Sequence, residues 1–143
     1  MKDSRIGTFA AISIFLASMF YLKLFTYADY RILLIFPVAG RYTMTVTAAI
    51  CKPARKDGLG YLFSNEAGFK EFAISTIITF AIGLAILKTR FIFPIVCAVI
   101  FAMIFTRNIS SRMGGINGDI MGASLVLSEI MFLLTSYAEA MIR

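Results

Sequence analysis

The run Gly114-Gly115-Ile116-Asn117-Gly118-Asp119 holds three glycines within five residues and ends in a carboxylate. Glycine lets a backbone take φ > 0 and come close to a ligand, and an acidic side chain at a helix start stands beside orphan N–H groups. The run leads directly into an apolar segment, residues 120–137, with Glu129 inside it. A flexible polar turn joined to a membrane-length helix is site chemistry at a membrane surface. The competing reading is an ordinary loop with Asp119 as the N-cap of the next helix. Arg41 is a second candidate, because it shares the middle of an apolar segment with Pro37 and Gly40, a breaker and a permissive residue. A charge at that depth costs on the order of 3 kcal/mol and usually faces a bundle interior or a water-filled cavity.

The elements that must position these residues follow from composition. The 143 residues are 59% apolar and 15% charged, with a mean hydropathy of +0.85, whereas an average soluble domain is roughly half apolar and about a quarter charged. The apolar residues fall in blocks of membrane length separated by charge clusters. The expected fold is therefore an all-α, polytopic membrane bundle, a single domain over residues 1–143 with about five transmembrane helices. The spans are expected at residues 8–26, 32–50, 72–87, 91–105 and 120–137. The second is read as broken in its middle by Pro37 and Gly40, and Lys23 is placed to snorkel near the end of the first. The fourth is short for a span and begins near Pro94, which suits a little-tilted or partly re-entrant segment.

Charge reads as topology. The net charge is +6, but the fourteen Lys and Arg are spread among the connections, which argues against nucleic acid as a partner. Cys51 and Cys97 have neither disulfide nor metal-ligand spacing, and with no histidine in the chain zinc sites and His-based catalysis are excluded. The first apolar block is full membrane length and runs on into Lys23 and Tyr27, unlike a cleavable signal peptide. With five spans, Lys2, Arg5, Lys52, Arg55, Lys56, Lys70, Arg107 and Arg112 share one face, against Arg31, Lys88, Arg90 and Arg143 on the other. The positive-inside rule makes the first face cytoplasmic and puts the C-terminus outside a prokaryotic cytoplasmic (inner) membrane.

That topology gathers three clusters on the cytoplasmic face: Lys2-Asp3-Ser4-Arg5, Lys56-Asp57-Gly58-Leu59-Gly60, and residues 114–119. A headgroup-level pocket of Arg, Lys, Asp and glycine backbone suits a phosphate-bearing substrate with a magnesium ion, since Arg forks phosphate and carboxylate oxygens suit a hard cation.

With these clusters in order, the chain resembles the C-terminal part of the cobalamin-5′-phosphate synthase family, also called adenosylcobinamide-GDP ribazoletransferase. The resemblance runs nearly end to end. It rests on Met1-Lys2-Asp3-Ser4-Arg5-Ile6-Gly7-Thr8, on Gly40-Arg41 where the family commonly has Ser-Arg, on Lys56-Asp57-Gly58-Leu59-Gly60 with Phe63, and on residues 114–119 with Gly122-Ala123 and Glu129. It implies a magnesium-dependent transferase that joins α-ribazole, or its 5′-phosphate, to adenosylcobinamide-GDP and releases GMP. Asp3, Arg5, Arg41 and Asp119 are then the expected catalytic residues. Lys2, Ser4, Lys56, Gly58, Gly60, Gly114, Gly115, Asn117 and Gly118 are expected on substrate phosphate, and Asp119 with Glu129 on the metal.

The chain departs from the family pattern in three places. It lacks the preceding His-Leu-Asp-Gly-Leu-Ala-Asp type segment, so the expectation is a fragment, or a reading frame begun at an internal methionine, that is inactive alone. Asn117 stands for the usual Thr of the Gly-Gly-X-Thr-Gly-Asp motif. Val126 stands where a Glu is common, seven residues after Asp119 and so about 20° from it around a helix. Glu129 does not replace that Glu simply, being about 80° around and about 15 Å along from Asp119. The alternative function is a small noncatalytic membrane protein, a transporter subunit or an assembly scaffold, but polar groups clustered on one face are not what a scaffold needs. The sequence leaves a homo-oligomer open.

Overall fold

The computed structural model describes residues 7–54, 61 and 68–142. Lys2, Asp3, Ser4, Arg5, Lys56, Gly58 and Gly60 lie outside the described residues. Five α-helices fill the described part: α1 (Thr8–Tyr27), α2 (Tyr30–Ile50), α3 (Phe69–Leu87), α4 (Ile92–Met113) and α5 (Gly118–Ile142), with a 3-10 turn at Lys88–Phe91 between α3 and α4. The expectation of an all-α membrane bundle holds. By length and apolarity four stretches can cross a membrane, with Phe69–Met113 counted as one. That stretch is two antiparallel helices, because Gly68, Phe69 and Phe72 line one crevice with Val99 and Met103.

The reversal has a packing cause. Lys88 takes φ 54, which ends α3. Phe91, fully buried, then turns its ring back onto Gly83, where a Cβ would stand 2.5 Å from the ring. The Phe91 ring meets Phe80 edge-on at 5.5 Å and Phe132 at 6.1 Å, and Phe80 meets Tyr42 at 6.3 Å. This ring chain ties α2, α3 and α5 together at the centre of a core that also contains Ile35, Ala39, Val46, Ile95 and Ala98. In a bilayer such contacts hold helices by close packing, since lipid tails are as apolar as leucine.

Two span expectations are corrected. The second span is not broken: α2 runs unbroken from Tyr30 to Ile50 with Pro37 inside it, and transmembrane helices tolerate an internal proline. The fourth is not short or re-entrant, because α4 continues through Arg107 and Arg112 to Met113. No glycine or proline interrupts the chain after Pro94 until Gly114, so a run that looks like a polar connection stays helical. Pro94 sits in the first turn of α4, where its missing N–H costs little.

Helix α5 is the axis of the bundle, flanked by α4 and α2. Helix α1 is peripheral; only Leu24 is buried, in a small cluster with Ile130 and Leu133. Lys23 extends over the Tyr27 ring at 5.1 Å, in keeping with a cation near the end of its span.

Candidate functional site

The connections before α3 and before α5 meet at one end of the bundle. Ile116 N–H donates to the Lys52 carbonyl at 2.9 Å, and Ala54 N–H donates to the Ile116 carbonyl at 2.8 Å. This pairing straps residues 52–54 to residues 115–116, so the convergence of the second and fourth connections on one face is a feature of the fold.

Most of the turn that holds Asp119 is occupied by building that strap. Gly114 takes φ 75 and closes α4, its N–H bonded to the Ser110 carbonyl. Gly115 takes φ 143, and a Cβ there would stand 2.5 Å from the Ala54 nitrogen, so only glycine lets the two backbones meet. Ile116 is 1% exposed and packs with Ala48, Ile120 and Met121. Asn117 accepts from the Ile120 N–H at 2.9 Å through Oδ1 and is the N-cap of α5. The reading of Asp119 as N-cap is thereby corrected: Asn117 has the short amide that reaches the third N–H, and Asp119 lies within the first helical turn. Gly118 and Asp119 are exposed. Asp119 is thus the polar side chain of the turn that the turn itself does not use, set where the N-terminal dipole of α5 favours an anion or a bound ion pair.

A second polar layer lies deeper. Tyr21 of α1 donates to Glu129 Oε2 at 2.5 Å, and Glu129, 8% exposed, rests directly on Gly40 of α2, where a Cβ would overlap it. Arg41, on the following residue, is exposed and near enough to attract the Glu129 carboxylate. Between the layers, Thr43 and Ser128 share a 2.6 Å hydrogen bond and Thr106 donates to Ser124 at 3.1 Å, joining α2 and α4 to α5.

The structure does not bring Asp119 and Glu129 together. Ten residues apart in one unbroken helix, they stand about 15 Å apart along its axis, and both lie with Gly122 and Val126 on one stripe of α5. Val126 is half-buried against α1, its carbonyl 3.4 Å from the Tyr21 hydroxyl. Above it, Gly122 and Ala123 are exposed, and an added Cβ at Gly122 would meet nothing. The stripe is therefore open beside Asp119 and closed by Tyr21 at Glu129. Among the described residues no group of three or more His, Cys, Asp or Glu could hold a metal ion.

Sequence reasoning missed Tyr21 and the segment at residues 52–54 that Gly115 packs against. Nothing in the spacing of Tyr21 marks it, since it reads as one more aromatic in an apolar helix. Cys51, at the strap, lies near Arg107; burial pushes its thiol up, and Arg107 pulls the other way.

The family model for cobalamin-5-phosphate synthase matches residues 1–137 of this chain. The chain belongs to the cobalamin-5-phosphate synthase family. It is 36% identical to the adenosylcobinamide-GDP ribazoletransferase of Clostridium acetobutylicum over 96% of its own length and 57% of that protein. It is 32% identical to the enzyme of that name from Alkaliphilus oremlandii and 33% to that from Geotalea daltonii, covering 56% and 57% of them. The chain thus spans a little over half the length of the relatives it matches. No solved structure matches it.

Proposed function

We propose that this chain forms part of a membrane transferase that joins α-ribazole, or its 5′-phosphate, to adenosylcobinamide-GDP with release of GMP. The observation that carries the reading is Asp119: an exposed carboxylate at the helix N-terminus that two connections are strapped together to build. Family membership and the names of the relatives supply the reaction. The transporter or scaffold alternative is not favoured, because neither requires that turn.

In this reaction a sugar hydroxyl attacks the phosphorus that bears cobinamide, a new P–O bond forms, the bond to the GMP phosphate breaks, the hydroxyl proton passes to solvent and GMP leaves. Catalysis then consists of positioning and neutralising charge. Small residues at Gly118, Gly122 and Ala123 leave room for a diphosphate beside Asp119. Arg41 carries positive charge on α2 beside Glu129, which it attracts, and from its exposed position would offset charge on a more distant part of the bound substrate. Glu129, held by Tyr21 and Gly40, acts through Arg41 as a positioning residue.

One exposed carboxylate fits a magnesium ion held chiefly by substrate phosphates and water, so Asp119 would hold it; Glu129 is too far along α5 to share that ion. Bound there, magnesium would offset the charge that builds on the diphosphate. The active face is cytoplasmic in this reading, on the cation count of the connections. The test is a chimera in which this chain replaces the matching portion of the Clostridium acetobutylicum relative, assayed in membranes. GMP release that requires both adenosylcobinamide-GDP and α-ribazole supports the proposal, and a well-folded chimera that releases none sinks it.

A further inference from the structure

Helices α1 and α5 run parallel, since Tyr21 bonds to Glu129 and, further along both, the Tyr27 and Tyr137 rings meet at 5.3 Å. Around the Tyr21 bond they pack through Ala17, Tyr21 and Leu24 of α1 and Val126, Ile130 and Leu133 of α5. Helical periodicity carries the same two stripes back toward the helix starts, through Ile14 and Ala10 on α1 and through Gly122 and Asp119 on α5. Counted from the Tyr21–Glu129 bond, Ile14 and Gly122 share one height, about 10 Å away, and Ala10 and Asp119 another, about 15 Å away. In continued register these four residues would touch as their neighbours do. All four are exposed instead, Ile14 by 59%, and an added Cβ at Gly122 would meet nothing. The two helices therefore part beyond Tyr21 and leave a wedge that opens beside Asp119.

A bare face on a membrane helix normally meets lipid, but this one continues a helix–helix interface and is lined by small residues. Ala10, Ala17, Gly122 and Ala123 let a backbone approach closely, which favours a packed helix and gives an acyl chain no advantage. Helix α1 is also the least enclosed span among the described residues: 6% of its apolar window is buried, against 44% for those of α2 and α5. More than two-fifths of the Clostridium acetobutylicum relative lies outside its match to this chain. We propose that in the assembled enzyme a membrane-spanning helix from that unmatched portion fills the wedge, packed on Ala10, Ile14, Ala17 and Gly122, with one end beside Asp119. The diphosphate site at Gly118 and Asp119 then has its second wall on that helix. This inference rests on the family membership behind the function proposed above, and not on the role given there to Asp119.

The test uses the chimera in which this chain replaces the matching portion of that relative. A photoreactive benzophenone amino acid is placed at Ile14, or at Phe15 on the outward side of α1, where the side chain is 61% exposed. The chimera is irradiated in its membranes, digested and read by mass spectrometry. Ile14 is expected to capture peptides of the unmatched portion and Phe15 to capture lipid, and mixing isotope-labelled with unlabelled chimera is expected to show both joined peptides coming from one molecule. Capture at Ile14 of lipid, of α5 or of a second copy would each overturn the proposal. Gly122→Leu gives an independent reading. In this chain alone the new side chain enters open space and the unfolding temperature should not fall, whereas in the chimera it should fall by about 5 °C, the scale of one overpacked residue. Equal effects in the two would also overturn the proposal. Neither readout uses GMP release, so an inactive chimera with the expected crosslink counts against the reaction and not against the wedge.

Discussion

Glu129 of α5 lies directly on the bare Cα of Gly40 of α2, so that the two helices meet at a point where any larger residue would overlap the carboxylate side chain. The contact fixes both the depth of Glu129 and the place of Arg41 beside it, and it makes the pair dependent on each other. Gly40→Ala is expected to destabilise the bundle by about 1–3 kcal/mol, the usual range for overpacking. Adding Glu129→Ala should recover part of that loss, because it removes the atoms the new methyl meets. Thermal unfolding of the four species in detergent measures the coupling, and simple additivity would contradict it.

Tyr21 is the hydrogen bond that fastens the peripheral α1 to this layer. Tyr21→Phe should cost about 1 kcal/mol, in the range of interhelical hydrogen bonds in membranes, and should loosen α1 more than the rest. Hydrogen exchange resolved by helix reads this, with faster exchange expected in residues 8–27 and little change in α4.

Gly115→Ala should be more damaging than its size suggests. The new Cβ meets backbone atoms of Pro53 and Ala54, which cannot swing aside as a side chain can, and φ 143 is a conformation that alanine rarely adopts. The chimera carrying it is expected to lose at least tenfold in GMP release with Asp119 intact, a barrier increase of about 1.4 kcal/mol. Unchanged release would show that the strap does not position the site.

Cys51 reports on the same end. Because burial raises its thiol, less of it is thiolate at a given pH, and alkylation should gain speed only above the pH at which a small thiol does. Arg107→Ala removes the opposing pull and should shift the profile further upward. A Cys97→Ala background isolates the signal, and a membrane-impermeant maleimide applied to inverted and right-side-out vesicles also reads the face on which Cys51 lies. A profile at or below that of a free thiol would contradict the buried placement.

How much was legible beforehand depended on the kind of signal. Helix α1 and the Lys88–Phe91 turn followed from hydropathy and charge, and the meeting of the second and fourth connections from parity of spans. The end of α4 did not, because Arg107, Asn108, Ser110 and Arg112 are polar residues with adequate helix propensity, and a polar run after an apolar block looks the same whether it is loop or helix. Pro37 misled in the opposite direction, since a breaker in water is tolerated within a membrane bundle. In the turn before α5 the glycines stand out in the sequence but their cause does not: Gly114 ends a helix and Gly115 admits the Ala54 backbone, a contact sixty-one residues distant that no local pattern records. Which of Asn117 and Asp119 caps α5 also depended on geometry, because both residue types cap well.

The claim that Asp119 is the functional member of its turn separates it from its neighbour. Asn117→Ala should cost about 1 kcal/mol of stability through the lost cap. Asp119→Asn, exposed and outside the strap's hydrogen bonds, should cost less, about 0.5 kcal/mol from the charge lost at the helix N-terminus. The most direct measurement is GMP release from adenosylcobinamide-GDP by the chimera with and without Asp119→Asn, alongside its unfolding temperature. The account predicts a loss on the order of a hundredfold in rate, the scale of one missing charge-stabilising group, with an unfolding temperature lowered by less than Asn117→Ala lowers it. Release at the unsubstituted rate by a stably folded Asp119→Asn chimera would contradict it.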